Sequence, residues 1–331
     1  MKAAWYERQG PAPDVLNIGE LPTPNAGEGE IRIRVLASGI NPGDVKKRQD
    51  SFGVGMPYPR VIPHSDGAGV VDQVGQGVSS DRIGERVWCF GAQSYRAFGT
   101  AAAWVVVPAE QAIPLPESVS MEQGACLGIP GLTAHRAVHS GGRVSGRTVL
   151  IQGGAGAVGQ CAVALAGHAG ARVLATVRSE QQGQTASHAG ADAIIRTDGR
   201  ETLAVVDEIR SHAPDGVDHI VEVAFDANIR IDEQVLGLRG SIAAYATGAP
   251  EPSIPFWPLL FKNARLFLLG SDDFQSSEKQ AAARDLNEAL VSGWSGFSIS
   301  DRLPLEEVAE AHLRIESRGA KGRVVLELDT E

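Results

Sequence analysis

A chain of 331 residues with 30 basic against 40 acidic side chains has a formal net charge of −10, which repels nucleic acid and anionic membrane surfaces alike. Its 43% hydrophobic and 21% charged residues exclude a disordered tail, and the length suits two domains better than one. Cys89, Cys126 and Cys161 make no C-x-x-C pair and no even-numbered framework, which fits a reducing cytoplasm. The start MKAAWYERQG has no apolar leader core, and no apolar run nears the roughly 20 residues of a membrane span. The expectation is a soluble cytoplasmic protein.

From Met1 to Gln123 the chain reads as short β-rich runs, among them EIRIRVLASGI, GAGVVDQVG, RIGERVWCF and AAAWVVVPAE, separated by Gly, Pro, Asn and Asp turns. After GRVSGR, strands alternate with helix-length segments. TVLIQ, RVLATV, DAII, DHIVEVA, GSIAAYA and ARLFLLG are each continuously apolar, as strands covered on both faces must be, and predict a doubly wound parallel α/β sheet. Past Gly270 the alternation stops. LPLEEVAEAHLRIESR places Leu305, Val308, Ala309 and Leu313 on one predicted helical face before the terminal strand GRVVLEL, a tail expected to return to the first domain. The predicted domains are 1–123 with 271–331, and 124–270.

Between the first two α/β strands stands IQGGAGAVGQ. Gly154, Gly156 and Gly159 follow one strand directly and open the next helix, the context in which G-x-G-x-x-G binds a dinucleotide. The turn lets the backbone approach a pyrophosphate, and the free N–H groups at the helix start, at Ala157 and Val158, attract its charge. About twenty residues on, where an NAD site offers an acid to the ribose hydroxyls, the chain offers Arg178 and Ser179. An arginine pairs with a 2′-phosphate that a carboxylate would repel, so the expected cofactor is NADPH.

The string GIPGLTAHRAV before VLIQGGAGAVG, together with MKAAWYERQGPAPDVL, VLASGINPGDVKKR, GERVW and AHLRIESRGAKGRVVLEL, resembles the medium-chain dehydrogenase/reductase superfamily, in its zinc-free quinone oxidoreductase (ζ-crystallin-like) branch. The resemblance implies a GroES-like catalytic domain beside a Rossmann domain, with the nicotinamide in the cleft between them, and a homodimer. It also implies that Asn41 and Thr133 lie beside the nicotinamide and its ribose and that Arg318 reaches the adenosine phosphate. Gln182 and Thr197 stand where family members often carry a phosphate-binding Lys and Tyr. Zinc-using relatives have a Cys at the position of Asn41 and a His–Glu pair at Ser65-Asp66, so no catalytic metal is expected.

His135 and His139 have the i,i+4 spacing of a zinc helix, but no glutamate lies between them and no third ligand is evident, so packing or surface roles are expected. His64, in IPHSDGAG, is read as a structural hydrogen-bonder for want of a visible partner. No G-x-S-x-G elbow, H-E-x-x-H or P-loop lysine is present, and the chemistry is left to the cofactor.

The expected activity is NADPH-dependent hydride transfer, without a metal, to a quinone or an α,β-unsaturated carbonyl compound. An enoyl-thioester or alkenal reductase of the same superfamily is the alternative enzyme, and a non-catalytic NADPH-binding structural or sensor protein the alternative of another class. Tyr58 is the tentative proton donor. Phe52, Tyr245, Phe256 and Trp257 are expected to form the acceptor wall, Tyr245 also meeting the cofactor.

Overall fold

The computed structural model describes residues 1–317 and 322–328. The chain separates into two units, Met1–Pro130 with Gly296–Glu331, and Gly131–Ser295.

In the first unit a seven-stranded sheet is built around the strand Glu30–Gly39, which pairs antiparallel with Asp66–Val74, Trp104–Pro108 and Arg323–Glu327. Ile31, Ile33 and Val35 are buried, while Glu30, Arg32 and Arg34 alternate with them on the wetter face. Register shifts at Arg32/Ile33 and Val35/Ala37 coil this strand, so one segment serves three partners. Val71, Val87, Val105, Val324 and Leu326 complete the core with the inward residues of that strand. The last helix, Val308–Glu316, buries Val308, Ala311 and His312, whereas Leu313, expected on the inner face, is 37% exposed. The buried stripe is rotated because a polar residue, His312, has partners inside.

The second unit is a six-stranded parallel sheet in the spatial order Ala193–Arg196, Arg172–Val177, Thr148–Ile151, Val217–Glu222, Leu236–Ala244, Arg265–Leu268. Numbered along this unit that is 3-2-1-4-5-6, the doubly wound dinucleotide-binding order, whose reversal point lies between Thr148–Ile151 and Val217–Glu222. All six apolar runs read from the sequence are strands.

The boundaries differ from those expected at Gly270 and Gln123. The helix Ser276–Val291 buries Ala282, Ala283, Leu286 and Ala289 and packs on the helix Ala157–His168, so the chain leaves the second unit only after Ser295. Its inner face is mostly alanine, which carries little of the periodic hydrophobic signal by which a core helix is read. Among the described residues no helix is long and apolar enough to cross a membrane.

Candidate cofactor and active site

The glycine turn sits between the strand Thr148–Ile151 and the helix Ala157–His168. Its glycines answer different demands. A Cβ at Gly154 would lie 2.7 Å from the Ala175 Cβ, and one at Gly159 would lie 2.2 Å from the Gly153 carbonyl oxygen, so both are required by close packing. Gly156 is not: its φ is −69°, its nearest neighbour to an added Cβ is 3.4 Å away, and it is exposed. Nothing among the described residues demands glycine there, while the position caps a helix whose first N–H groups, at Ala157 and Val158, have no intrahelical acceptor. A bare backbone at an open helix start fits an incoming pyrophosphate.

Arg178 follows the adjacent strand Arg172–Val177, and the two strand ends are tied together by Gly154 N–H donating to the Thr176 carbonyl at 2.9 Å. The Arg178 side chain is exposed and its guanidinium has no partner among the described residues. Ser179 caps the helix Glu180–His188, its Oγ accepting from Gln182 N–H at 3.2 Å. Gln182 in turn accepts the Arg178 backbone N–H at 2.8 Å, so the residue at the family's lysine position anchors the arginine's backbone. Thr197 Oγ1 donates to the Val177 carbonyl at 3.2 Å. Arg318 lies outside the described residues.

Under the turn runs a polar chain that sequence reasoning missed. Gly153 N–H donates to Thr176 Oγ1 (3.0 Å), Thr176 donates to Gln152 Oε1 (2.7 Å), and Gln152 Nε2 donates to Asp232 Oδ1 (2.7 Å). Asp232 and its neighbour Glu222 are both fully buried. Burial raises both carboxyls, and the charge of Glu222 raises Asp232 further. Tyr245 donates its backbone N–H to the Glu222 carbonyl at 3.1 Å; burial, then the Glu222 charge, pushes its phenol above its ordinary value.

In the first unit Asn41 is buried at the start of the helix Pro42–Arg48. Its Nδ2 donates to Asp66 Oδ2 at 2.7 Å, and its Oδ1 accepts from Arg323 at 2.9 Å. Asp66 also accepts the Ile129 backbone N–H at 2.8 Å, and a Cβ at Gly128 would lie 2.0 Å from its Oδ1. Burial, then the nearby Asp44, pushes the Asp66 carboxyl up to about 7; Asn41, Ile129 N–H and Arg323 act against that rise. Of the two positions expected to carry thiolate and imidazole in zinc-using relatives, Asn41 offers an amide held by Asp66 and Arg323, and Ser65 a buried hydroxyl. Arg323, 282 residues from Asn41, was invisible to any local motif.

His64 has the partner its sequence context did not show. Arg48 Nε, which can only donate, lies 3.2 Å from His312 Nδ1; His312 Nε2 lies 2.9 Å from His64 Nε2; His64 Nδ1 lies 2.9 Å from Ser38 Oγ. Ser38 meets Thr100 Oγ1 at 2.7 Å, and Thr100 donates to the Asp66 carbonyl at 2.6 Å. The donor at one end and the acceptor at the other fix every proton between them: His312 carries its hydrogen on Nε2 and His64 on Nδ1. Burial lowers His64 to about 3 and His312 well below its usual range, keeping both neutral.

Of the remaining expected residues, Tyr58 and Phe52 belong to the first unit and Thr133, Phe256 and Trp257 to the second. Tyr58 packs beside the cluster of Tyr6, Val15 and Val61, and its hydroxyl donates to the Tyr95 carbonyl. Phe52 is exposed, with Lys46 Nζ 5.9 Å from its ring centroid. Thr133 is buried in the helix Gly128–His139. Phe256 and Trp257 lie edge to face on the helix Phe256–Phe261, which buries none of its residues. His135 and His139 lie on one helix with their centroids 4.6 Å apart; burial lowers both, His139 to about 4.

Residues 27–117 match the alcohol dehydrogenase GroES-like domain, and residues 157–286 the zinc-binding dehydrogenase family. Rat quinone oxidoreductase is 31% identical over 322 residues, covering 95% of this chain and 94% of the relative. A 2-haloacrylate reductase of Burkholderia is 29% identical over 341 residues, covering 98% of each. A mycobacterial protein solved in complex with NADPH superposes with a TM-score of 0.84 at 27% identity, over 99% of this chain and all of that one. A GroES-like unit and a doubly wound sheet opened by a glycine turn define a nicotinamide-type oxidoreductase. The chain belongs to the medium-chain dehydrogenase/reductase superfamily, in its quinone oxidoreductase branch.

Proposed function

We propose that the protein is an NADPH-dependent reductase of quinones or α,β-unsaturated carbonyl compounds that works without a catalytic metal. The observation that carries the cofactor reading is the pairing of an open helix start at Gly156 with an arginine, Arg178, whose guanidinium has no partner among the described residues, on neighbouring strand ends. The second unit is then the NADP(H) domain and the first the catalytic domain. Gly156, Ala157 and Val158 would hold the pyrophosphate, Arg178 and Ser179 the 2′-phosphate, and Asn41, Thr133 and Tyr245 the nicotinamide end. When bound, NADPH supplies a hydride.

The acceptor class follows from what surrounds Asn41. With an amide at Asn41 and a hydroxyl at Ser65 in place of thiolate and imidazole, a conjugated acceptor that spreads its own developing charge is an easier substrate than a simple ketone that needs a Lewis acid. The 2-haloacrylate reductase relative, named for an acceptor with a conjugated double bond, supports the same class. Solvent supplies the second hydrogen in this reading, because the Tyr58 hydroxyl is engaged by the Tyr95 carbonyl.

A homodimer belongs to the same proposal. Trp257 and Phe261, stacked on the helix Phe256–Phe261, and Leu268, on the last strand of the six-stranded sheet, are each more than 60% exposed. An edge strand with an exposed leucine and an exposed aromatic pair suit contact with a second copy. The decisive experiment is NADPH oxidation by the EDTA-treated enzyme against a panel of quinones and enones, with deuterium at the transferred position of the cofactor. Turnover with label at the enone β-carbon is expected. Tight NADPH binding without oxidation of any member of the panel would sink the catalytic reading.

A further inference from the structure

Apart from the residues considered so far for cofactor and acceptor, the second unit gathers three side chains able to ligate a metal. His135 and His139 stand four residues apart on the helix Gly128–His139 and so share one face. Asp285 reaches them from the helix Ser276–Val291, its Oδ2 lying 2.9 Å from His135 Nε2. One donor atom from each of the three lies within 4.8 Å of the others. Zinc bonds of about 2.0–2.2 Å in tetrahedral geometry separate ligand atoms by roughly 3.3–3.5 Å, so small side-chain rotations close the set around an ion. The sequence showed the histidine pair without a third ligand because that ligand is 150 residues away from the first.

We propose that His135, His139 and Asp285 form a binding site for a divalent transition metal, best suited to zinc, that clips the two helices together. Two imidazoles and one carboxylate are a borderline donor set: too rich in nitrogen for magnesium or calcium, and without the thiolates that select copper(I). The His139 imidazole makes no hydrogen bond among the described residues, so its lone pair is not committed elsewhere. Asp285 is 43% exposed, which gives an ion a way in and leaves a coordination position for water.

The surrounding charges do not forbid a cation. Arg136 is neutralised by Glu278 at 2.9 Å, and Arg284 is exposed on the helix of Asp285. His219, on the strand Val217–Glu222, faces His139 but is held by the Ala137 carbonyl and Ser241, at 2.6 and 2.8 Å. Cys161 is buried and offers no competing surface thiolate. None of the three ligands belongs to the cofactor and acceptor residues of the proposed function, so the metal is structural and turnover does not depend on it.

The test uses the full chain without an affinity tag, stripped with EDTA and titrated with Zn²⁺ by calorimetry, with thermal unfolding followed in parallel. One saturable Zn²⁺ per chain and a higher Tm at saturation are expected. His139→Ala and Asp285→Asn should each weaken binding by more than about 100-fold, a larger loss than outer partners of a metal cause, and remove the Tm shift. Asp285→Asn keeps a hydrogen-bonding group opposite His135, so its metal-free Tm should match the wild type and separate lost binding from lost folding. Absence of saturable uptake, or uptake that survives both substitutions, overturns the site.

Discussion

His64 and His312 meet through their Nε2 atoms at 2.9 Å in a position closed to solvent, and the chain they share has a single direction of donation from Arg48 to the Asp66 carbonyl. A second proton on either ring would set two N–H groups against each other. Because the folded His64 is lowered to about 3 while the unfolded imidazole titrates near 6.5, the unfolded chain binds more protons between these values. The stability that neutral His64 contributes is therefore present above pH 6.5 and is lost as pH falls towards 3. Asp66, raised to about 7, works in the opposite sense, gaining stability as pH falls from 7 towards 3.8, so whole-protein curves mix the two.

His64→Asn isolates the imidazole. His64 has φ 75°, a left-handed conformation that asparagine tolerates, so the backbone is kept. At pH 7.5 the variant should be less stable by about 1–3 kcal/mol, since His312 loses its acceptor. Below pH 6.5 the gap between wild type and variant should narrow by about 1.4 kcal/mol per pH unit. Urea unfolding at half-unit pH steps measures it, and a constant gap would show that the pair is not held neutral.

Gly156→Val and Gly159→Ala should fail in different ways. With φ −69° and only a 3.4 Å neighbour, position 156 takes a side chain without strain, so the first variant should unfold like the wild type but lose NADPH binding. An added Cβ at 159 meets a carbonyl oxygen at 2.2 Å, and overpacking there should cost about 1–3 kcal/mol of stability. Thermal melts with fluorescence titration of NADPH distinguish them; an unchanged NADPH affinity in Gly156→Val would remove the phosphate from this turn.

How far the sequence could be read depended on distance along the chain. The strand Arg172–Val177 and its terminal Arg178 were legible because a strand buried on both faces is a continuous apolar run and the arginine interrupts a known spacing. The Gln182 anchor is only four residues away, yet its role depends on a rotamer that no pattern encodes. Arg323 at Asn41, His312 at His64 and Asp285 at His135 lie 282, 248 and 150 residues from their partners, and only the closed fold brings them together.

Arg178→Ala should leave stability unchanged, since the side chain is exposed and partnerless among the described residues. It should weaken NADPH binding about 10- to 100-fold while sparing NADH, the equivalent of one charge-assisted contact of about 1.5–3 kcal/mol. Rising salt should erode the wild-type preference as well. Equal losses for both cofactors would place the 2′-phosphate elsewhere.

Leu268→Asp puts a charge on the open edge strand at a side chain that is 73% exposed, where the isolated protomer has nothing to lose. Light scattering should report a dimer for the wild type and a monomer for the variant, with the far-ultraviolet spectrum preserved. A variant that remains dimeric would move the interface to another face.

The strand Arg323–Glu327 lies against Glu30–Gly39, and its first residue holds Asn41. The second unit, Gly131–Ser295, is one uninterrupted stretch, whereas the first is closed by a strand that follows it in the sequence. During synthesis the nucleotide-type unit is therefore complete while Asn41, made long before it, still lacks its guanidinium. A chain halted between Ser295 and Arg323 would keep the whole doubly wound sheet and leave the surroundings of Asn41 unfinished.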